Sequence, residues 1–276
     1  MDLEVVGYFR ERIAACAASD GASGPKEVLP VVLGIVGAIE SSSRHVKASV
    51  RGQLLAVGAQ GAEFVAWLYR DLAMPEMADY WRDRAIDWAQ EAGDLPMQGY
   101  VLLKKSQAAW DDRDAPRMLA LARAVQEGPW RAPIRVRAEA VQQEARCHAM
   151  LGGDLAMMER KLDEAQELLA DGAAHDDRDG GSQLGAHYGP ALLAMQIAIC
   201  YWEAGRPGRA VEIFRDQLTS EAFSRRDYGY FTSLMASALA AAGEPGEACR
   251  VGIDALGIAL ATNSTRTTRE IARVAG

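Results

Sequence analysis

The sequence has no long hydrophobic run. Its best candidate, Val28 to Ile39, is twelve residues long and ends at Glu40. Crossing a bilayer takes about 20 residues, so no membrane partner is expected. Met1-Asp2-Leu3-Glu4 carries no basic n-region, so no signal peptide is expected, and a cytoplasmic location is the expectation. Cysteine is scarce and scattered. Cys16, Cys147, Cys200 and Cys249 form no C-x-x-C pair, and each lies in an apolar-periodic stretch. Buried free thiols are expected, not disulfides or zinc ligands. Positive charge is in the minority: 30 Lys and Arg stand against 38 Asp and Glu, a formal net charge of −8. Such a surface repels phosphate backbones, so this chain by itself is not expected to bind nucleic acid. Catalytic signatures are missing as well. There is no H-E-x-x-H, G-x-S-x-G, G-x-G-x-x-G or P-loop. His175-Asp176-Asp177-Arg178-Asp179 matches no calcium or zinc spacing and reads as a solvated loop. The chain is therefore not read as an enzyme, and no cofactor or metal is expected.

Strand patterns are also lacking. Ala, Leu, Glu, Gln, Arg and Met, all good helix formers, dominate, and helical periodicity runs through almost every segment. Short breaks with turn chemistry separate the helices. They include Gly24-Pro25, Met74-Pro75, Gly93-Asp94, Asp111 to Asp114, Gly152 to Asp154, Gly205 to Gly208 and Gly243 to Gly246. About a dozen antiparallel helices follow from this count. The one longer break, 171–189, is rich in Gly and Asp and reads as an exposed loop.

An internal repeat orders these helices. Ala198-x-x-Tyr201-x-x-x-Gly205 is followed by Ala210-x-x-x-Phe214. The same frame returns 38 residues later as Ala236-x-x-Leu239-x-x-x-Gly243, followed by Ala248. Ala145-x-x-His148-x-x-x-Gly152 and Ala66-x-x-Tyr69-x-x-x-Ala73 share it, and Ser106 falls between them. Small residues let paired helices approach closely, a bulky residue three places on fills the gap, and Gly ends the first helix at little conformational cost. The pattern resembles the tetratricopeptide repeat, a helix–turn–helix unit of about 34 residues. The expected fold is all-α: a superhelical, tetratricopeptide-like repeat over residues 47–276, preceded by capping helices over 1–46.

A narrower resemblance rests on Leu54-Leu55-Ala56-Val57-Gly58-Ala59, Glu63-Phe64-Val65-Ala66-Trp67-Leu68, Asp79-Tyr80-Trp81-Arg82, Trp88 to Asp94 and Tyr100 to Ser106. These stretches are similar to the C-terminal region of actinobacterial transcriptional regulators of the Xre type. In that family a tetratricopeptide-like region follows a helix-turn-helix domain. That domain takes about 60 residues, usually basic, whereas the roughly 45 residues before the repeats hold few cations. The resemblance thus implies a regulatory half with the DNA-reading domain absent. Either that domain belongs to a longer chain, or the protein is a homologue that lacks it.

In the tetratricopeptide arrangement the first helix of each pair lines a concave face. Positions one and four after the small crossing residue, and three before it, point there. These offsets select Glu63, Trp67 and Arg70, then Gln107 and Trp110, with Tyr100 a turn earlier. They also select Gln142 and Arg146, then Met195 and Trp202. Aromatic rings mixed with Arg, Gln and Glu suit a site that buries apolar groups and orients a few polar ones. In this reading Arg70 and Arg146 hold a carboxylate. Trp67, Trp110 and Tyr100 stack on its apolar part, and Gln107 and Gln142 bond its amides. The expected function is a ligand-sensing and protein-interaction module that takes a peptide or small-metabolite effector, with a partner protein or a homodimer as further partners. The alternatives are a scaffold without a small ligand, and a biosynthetic enzyme on a helical-repeat scaffold.

Overall fold

A computed structural model describes residues 3–152, 155–175 and 184–275. Among them are thirteen α-helices and no strand. They are α1 (Leu3–Ser23), α2 (Pro25–Ser43), α3 (Ala48–Asp71), α4 (Pro75–Glu91), α5 (Leu95–Asp111), α6 (Ala115–Glu127), α7 (Ile134–Met150), α8 (Leu155–His175), α9 (Pro190–Glu203), α10 (Pro207–Gln217), α11 (Arg225–Ala241), α12 (Pro245–Ala261) and α13 (Thr265–Ala275). Consecutive helices pack in pairs: α1 on α2, α3 on α4, α7 on α8 and α9 on α10.

The repeat frame read from the sequence has a direct structural counterpart. The small crossing residues Ala66, Ser106, Ala145, Ala198 and Ala236 are all buried. Ser106 fits its slot because its hydroxyl donates to the Met118 carbonyl at 2.9 Å. Seven places after each crossing residue the backbone turns left-handed, at Ala73 (φ 55°), Arg113 (59°), Gly152 (63°), Gly205 (70°) and Gly243 (82°). At four of these turns the next N–H closes onto the carbonyl five residues back: Met74 to Tyr69, Asp114 to Ala109, Arg206 to Tyr201 and Glu244 to Leu239, at 2.8–2.9 Å. This is a Schellman closure. Pro75, Pro207 and Pro245 then open the following helices, where a missing N–H costs nothing.

The residues fall into two compact units, 1–98 with 223–233 and 250–276, and 99–222 with 234–249. In the first unit the expected N-terminal helices α1 and α2 pack on α3. Val6, Phe9, Ile13, Ile35, Ile39, Val50, Leu54 and Val57 form their common core. Glycine lets α3 serve as the central helix. A Cβ on Gly58 would stand 2.9 Å from the Trp88 ring, and one on Gly61 would stand 2.9 Å from both Ile13 and Val36. The last helix, α13, also packs on α3. Ser264 donates to Asp71 at 2.9 Å, and Arg266 pairs with the same carboxylate at 3.4 Å. Arg226 and Asp20, both buried, form an ion pair in this unit.

In the second unit α7 is the central helix, packed by α6, α8 and α9. Two expectations change here. The loop over 171–189 is shorter at both ends, because α8 runs on to His175 and Tyr188 is fully buried among Ala138, Val141, Leu169 and Leu193. A buried aromatic ring anchors the segment before α9, which composition alone did not convey. The acidic string after His175, expected as a solvated loop, lies outside the described residues. Of the thiols, Cys147 and Cys200 are buried as expected, but Cys16 is half-buried and Cys249 is exposed.

Candidate functional site

Helices α5, α7 and α9 are the first members of their pairs, and in the second unit they bring a polar cluster together. On α7, Glu139, Gln142, Gln143 and Arg146 are spaced i, i+3, i+4 and i+7. They form one stripe about 10 Å long. All four are buried. From α5, Lys104 Nζ approaches Glu139 Oε1 at 3.5 Å, and Gln107 donates to the same oxygen. Trp110 Nε1 donates to Glu203 Oε1 of α9 at 2.7 Å. Arg113 grips that carboxylate with both terminal nitrogens, Nη2 to Oε2 at 2.7 Å. The Arg146 guanidinium lies over the Trp110 ring, 4.9 Å from its centroid. Gln143 donates to Gln142 Oε1 at 3.0 Å, and Gln142 donates to Cys200 Sγ at 3.8 Å. Lys104 lies 4.7 Å from the Tyr100 ring centroid and 3.4 Å from His187 Nε2.

The electrostatics of this cluster are uneven. Burial alone would raise the Glu139 carboxyl, but Lys104, His187 and Gln107 outweigh it and hold the group at about 2. Glu203 is likewise held below the carboxylate range: Arg113 and Trp110 overcome its burial. Burial pushes the Cys200 thiol up to about 11, so it is no nucleophile. The Tyr188 hydroxyl is raised well above its ordinary value by burial and by Glu139. Some atoms inside the cluster find no hydrogen-bond partner among the described residues: Arg146 Nε and Nη2, Gln143 Oε1 and Tyr188 Oη; Glu139 Oε2 faces His187 Nε2 at 3.8 Å.

The ten residues read from the sequence divide between the units. Tyr100, Gln107, Trp110, Gln142, Arg146, Met195 and Trp202 belong to the second, and Glu63, Trp67 and Arg70 to the first. Gln107, Trp110, Gln142 and Arg146 join the polar cluster directly. Gln142 and Met195 are fully enclosed instead of lining an open groove, because the amide of Gln142 is spent on Gln143 and Cys200. Trp202 is half-buried on α9. In the first unit the Trp67 ring already has guanidinium neighbours within that unit: Arg266 at 4.8 Å, Arg226 at 5.4 Å and Arg70 at 5.7 Å. Arg266 also covers Tyr230, at 3.7 Å.

Sequence reasoning missed Glu139, Lys104, Gln143, Tyr188 and Glu203. A signal existed for three of them. Tyr100 was selected six residues before its crossing residue, and the same offset from Ala145 gives Glu139. Two residues before the crossing position stand Lys104 and Gln143. The second unit also has an open groove of about 800 Å³ lined by Arg135 of α7 and by residues of α8, α9 and α10, among them Leu169, Ile197, Arg209 and Ile213. None of the ten selected residues lines it.

Among the described residues no group of three His, Cys, Asp or Glu side chains is placed to hold a metal ion, and no helix is long and apolar enough to cross a membrane. No family model, curated protein or solved structure matches the chain.

Proposed function

We propose that this chain is the effector-sensing module of a transcriptional regulator, built from tetratricopeptide-like repeats, and that the α5–α7–α9 face is where the effector binds. One observation carries the site. Arg146 is 4% exposed, rests on Trp110, and has Nε and Nη2 both without a partner. Leaving such donors unsatisfied costs about 1–3 kcal/mol, a cost that an anion bound beside Arg146 would relieve. The regulator class rests on the resemblance of the Leu54–Ser106 region to Xre-type proteins. A ligand acts on such a module through its differential affinity for two arrangements of the helices.

The test is a thermal-shift screen of the chain against peptides and metabolites, followed by hydrogen exchange with the best binder. The reading predicts raised stability together with altered exchange in α5, α7 and α9. Stabilisation by a partner protein alone, with no small ligand, would favour a scaffold. Turnover of a bound compound would favour an enzyme.

A further inference from the structure

We propose that the groove between α8 and α10 is a second binding site, separate from the α5–α7–α9 face. It takes an uncharged, elongated, mainly apolar small molecule: an alkyl chain ending in a hydroxyl or an amide.

The apolar body follows from the room and the lining. The groove holds about 800 Å³, inside the range of roughly 300–1,000 Å³ usual for small-molecule sites. Pro190, Leu193, Ala194 and Ile197 are spaced i, i+3, i+4 and i+7, so they share one face of α9 and form the floor. Ala170 of α8 and Ile213 of α10 stand on the two walls. Leu193 belongs to the core beneath, whereas Ala194, Ile197 and Ile213 are half-buried and Ala170 is exposed. An apolar strip rimmed by polar groups is the pattern of a surface that receives an apolar partner.

The length follows from the two ends. At one end the Tyr201 hydroxyl of α9 donates to Glu159 of α8 at 3.0 Å. At the other, Arg135 Nη1 donates to the Tyr188 carbonyl at 3.1 Å, two residues before α9 begins. From Pro190 to Tyr201 the helical rise gives about 16 Å. A groove tied off at both ends suits a molecule of finite length. Thirteen residues line it, roughly half of the 20–30 per side that a stable protein interface uses. A folded protein partner is therefore the poorer fit.

The charge follows from the rim. The ionisable lining groups are Arg135, Arg209, Glu212 and Asp216, two of each sign, so their charges cancel. Arg209 holds Glu212 at 2.8 Å, and Asp216 accepts from the Gln217 amide at 2.6 Å. An ion on the ligand would gain no net attraction and would lose water against the apolar floor. An uncharged polar end instead meets the exposed amides of Gln166 and Gln217, a group that both donates and accepts.

The experiment is a fluorescence titration of the whole chain with Nile red, an uncharged apolar dye, followed by displacement with straight-chain alcohols from 1-hexanol to 1-tetradecanol. Alkanoates and alkylammonium ions of the same lengths are the charged controls. Ala170→Arg and Ala194→Arg each put a long charged side chain into the groove; Ala170 is exposed, so its variant keeps the fold. Leu260→Asp removes an exposed apolar side chain elsewhere, and Arg146→Gln alters the α5–α7–α9 face. Circular dichroism checks each variant. The inference predicts that the alcohols tighten by up to about four-fold per added methylene, the value for full burial, and level off once the chain fills the groove. The charged homologues should bind at least about ten-fold more weakly, and the alcohols should lose as much in either arginine variant. Leu260→Asp and Arg146→Gln should bind as wild type. Charged homologues that match the alcohols overturn the uncharged class, and affinity that never levels off overturns the bounded groove. Unchanged binding by the folded arginine variants, or an equal loss in Leu260→Asp or Arg146→Gln, overturns the site. So does the absence of saturable binding by the dye and by every alcohol.

Discussion

Glu139 offers a test of the buried cluster that needs no ligand. Its carboxyl is held at about 2, against 4.5 for the free side chain, because Lys104, His187 and Gln107 outweigh its burial. Between those two values the unfolded chain binds a proton that the folded chain does not. Stability is then fully present above about pH 4.5 and is lost as the pH falls through the window towards 2. At 1.36 kcal/mol per pH unit, the shift corresponds to about 3 kcal/mol. Glu139→Gln keeps the shape and one acceptor but removes the titration. The assay is urea unfolding followed by circular dichroism at several pH values from 7 to 2. Wild type should lose about 3 kcal/mol more than Glu139→Gln across the acid window. Glu144 and Glu203 are also held low and contribute to the acid loss in both proteins, so the difference isolates Glu139. Parallel pH profiles for the two proteins would refute the reasoning: Glu139 would then not be an ionised, neighbour-stabilised group.

Three further outcomes are expected. Ala73→Gly should stabilise the first unit by about 0.5–1 kcal/mol in chemical denaturation, because Ala73 holds φ 55° and only Gly adopts it without steric cost. Ser264→Ala should cost about 1–3 kcal/mol, since buried Asp71 loses its 2.9 Å donor, and hydrogen exchange in α13 should quicken. Native thiol labelling at pH 8 should modify exposed Cys249 and leave Cys147 and Cys200 intact, because burial pushes both of those thiols up to about 11.

The fold was legible because helical repeats are written in local punctuation. Gly205-Arg206-Pro207 and Gly243-Glu244-Pro245 announce a left-handed cap followed by a helix start, and the frame could be carried back to Ala145 and Ala66. Arg113 was not legible as the same kind of cap, since no composition rule marks an arginine for φ 59°. Its reward is the bidentate grip on Glu203, a contact across 90 residues that sequence spacing does not encode. The cluster residues on first helices were legible for the same reason as the fold. Gln107, Trp110, Gln142 and Arg146 all follow from a 3.6-residue period applied to known crossing points. Tyr188 was hidden because it ends a Gly- and Asp-rich segment whose composition reads as solvent-exposed, although the ring is wholly buried. The gathering of Trp67 with Arg226 and Arg266 was hidden because it depends on tertiary contacts of α3 with residues late in the chain.

The most direct test of the central claim is equilibrium dialysis of wild type, Arg146→Gln and Arg70→Gln against a deproteinised small-molecule extract of the host cell, read by mass spectrometry. An effector site at Arg146 predicts at least one small anion retained by wild type and by Arg70→Gln but not by Arg146→Gln. The same compounds retained by wild type and by a folded Arg146→Gln would contradict it.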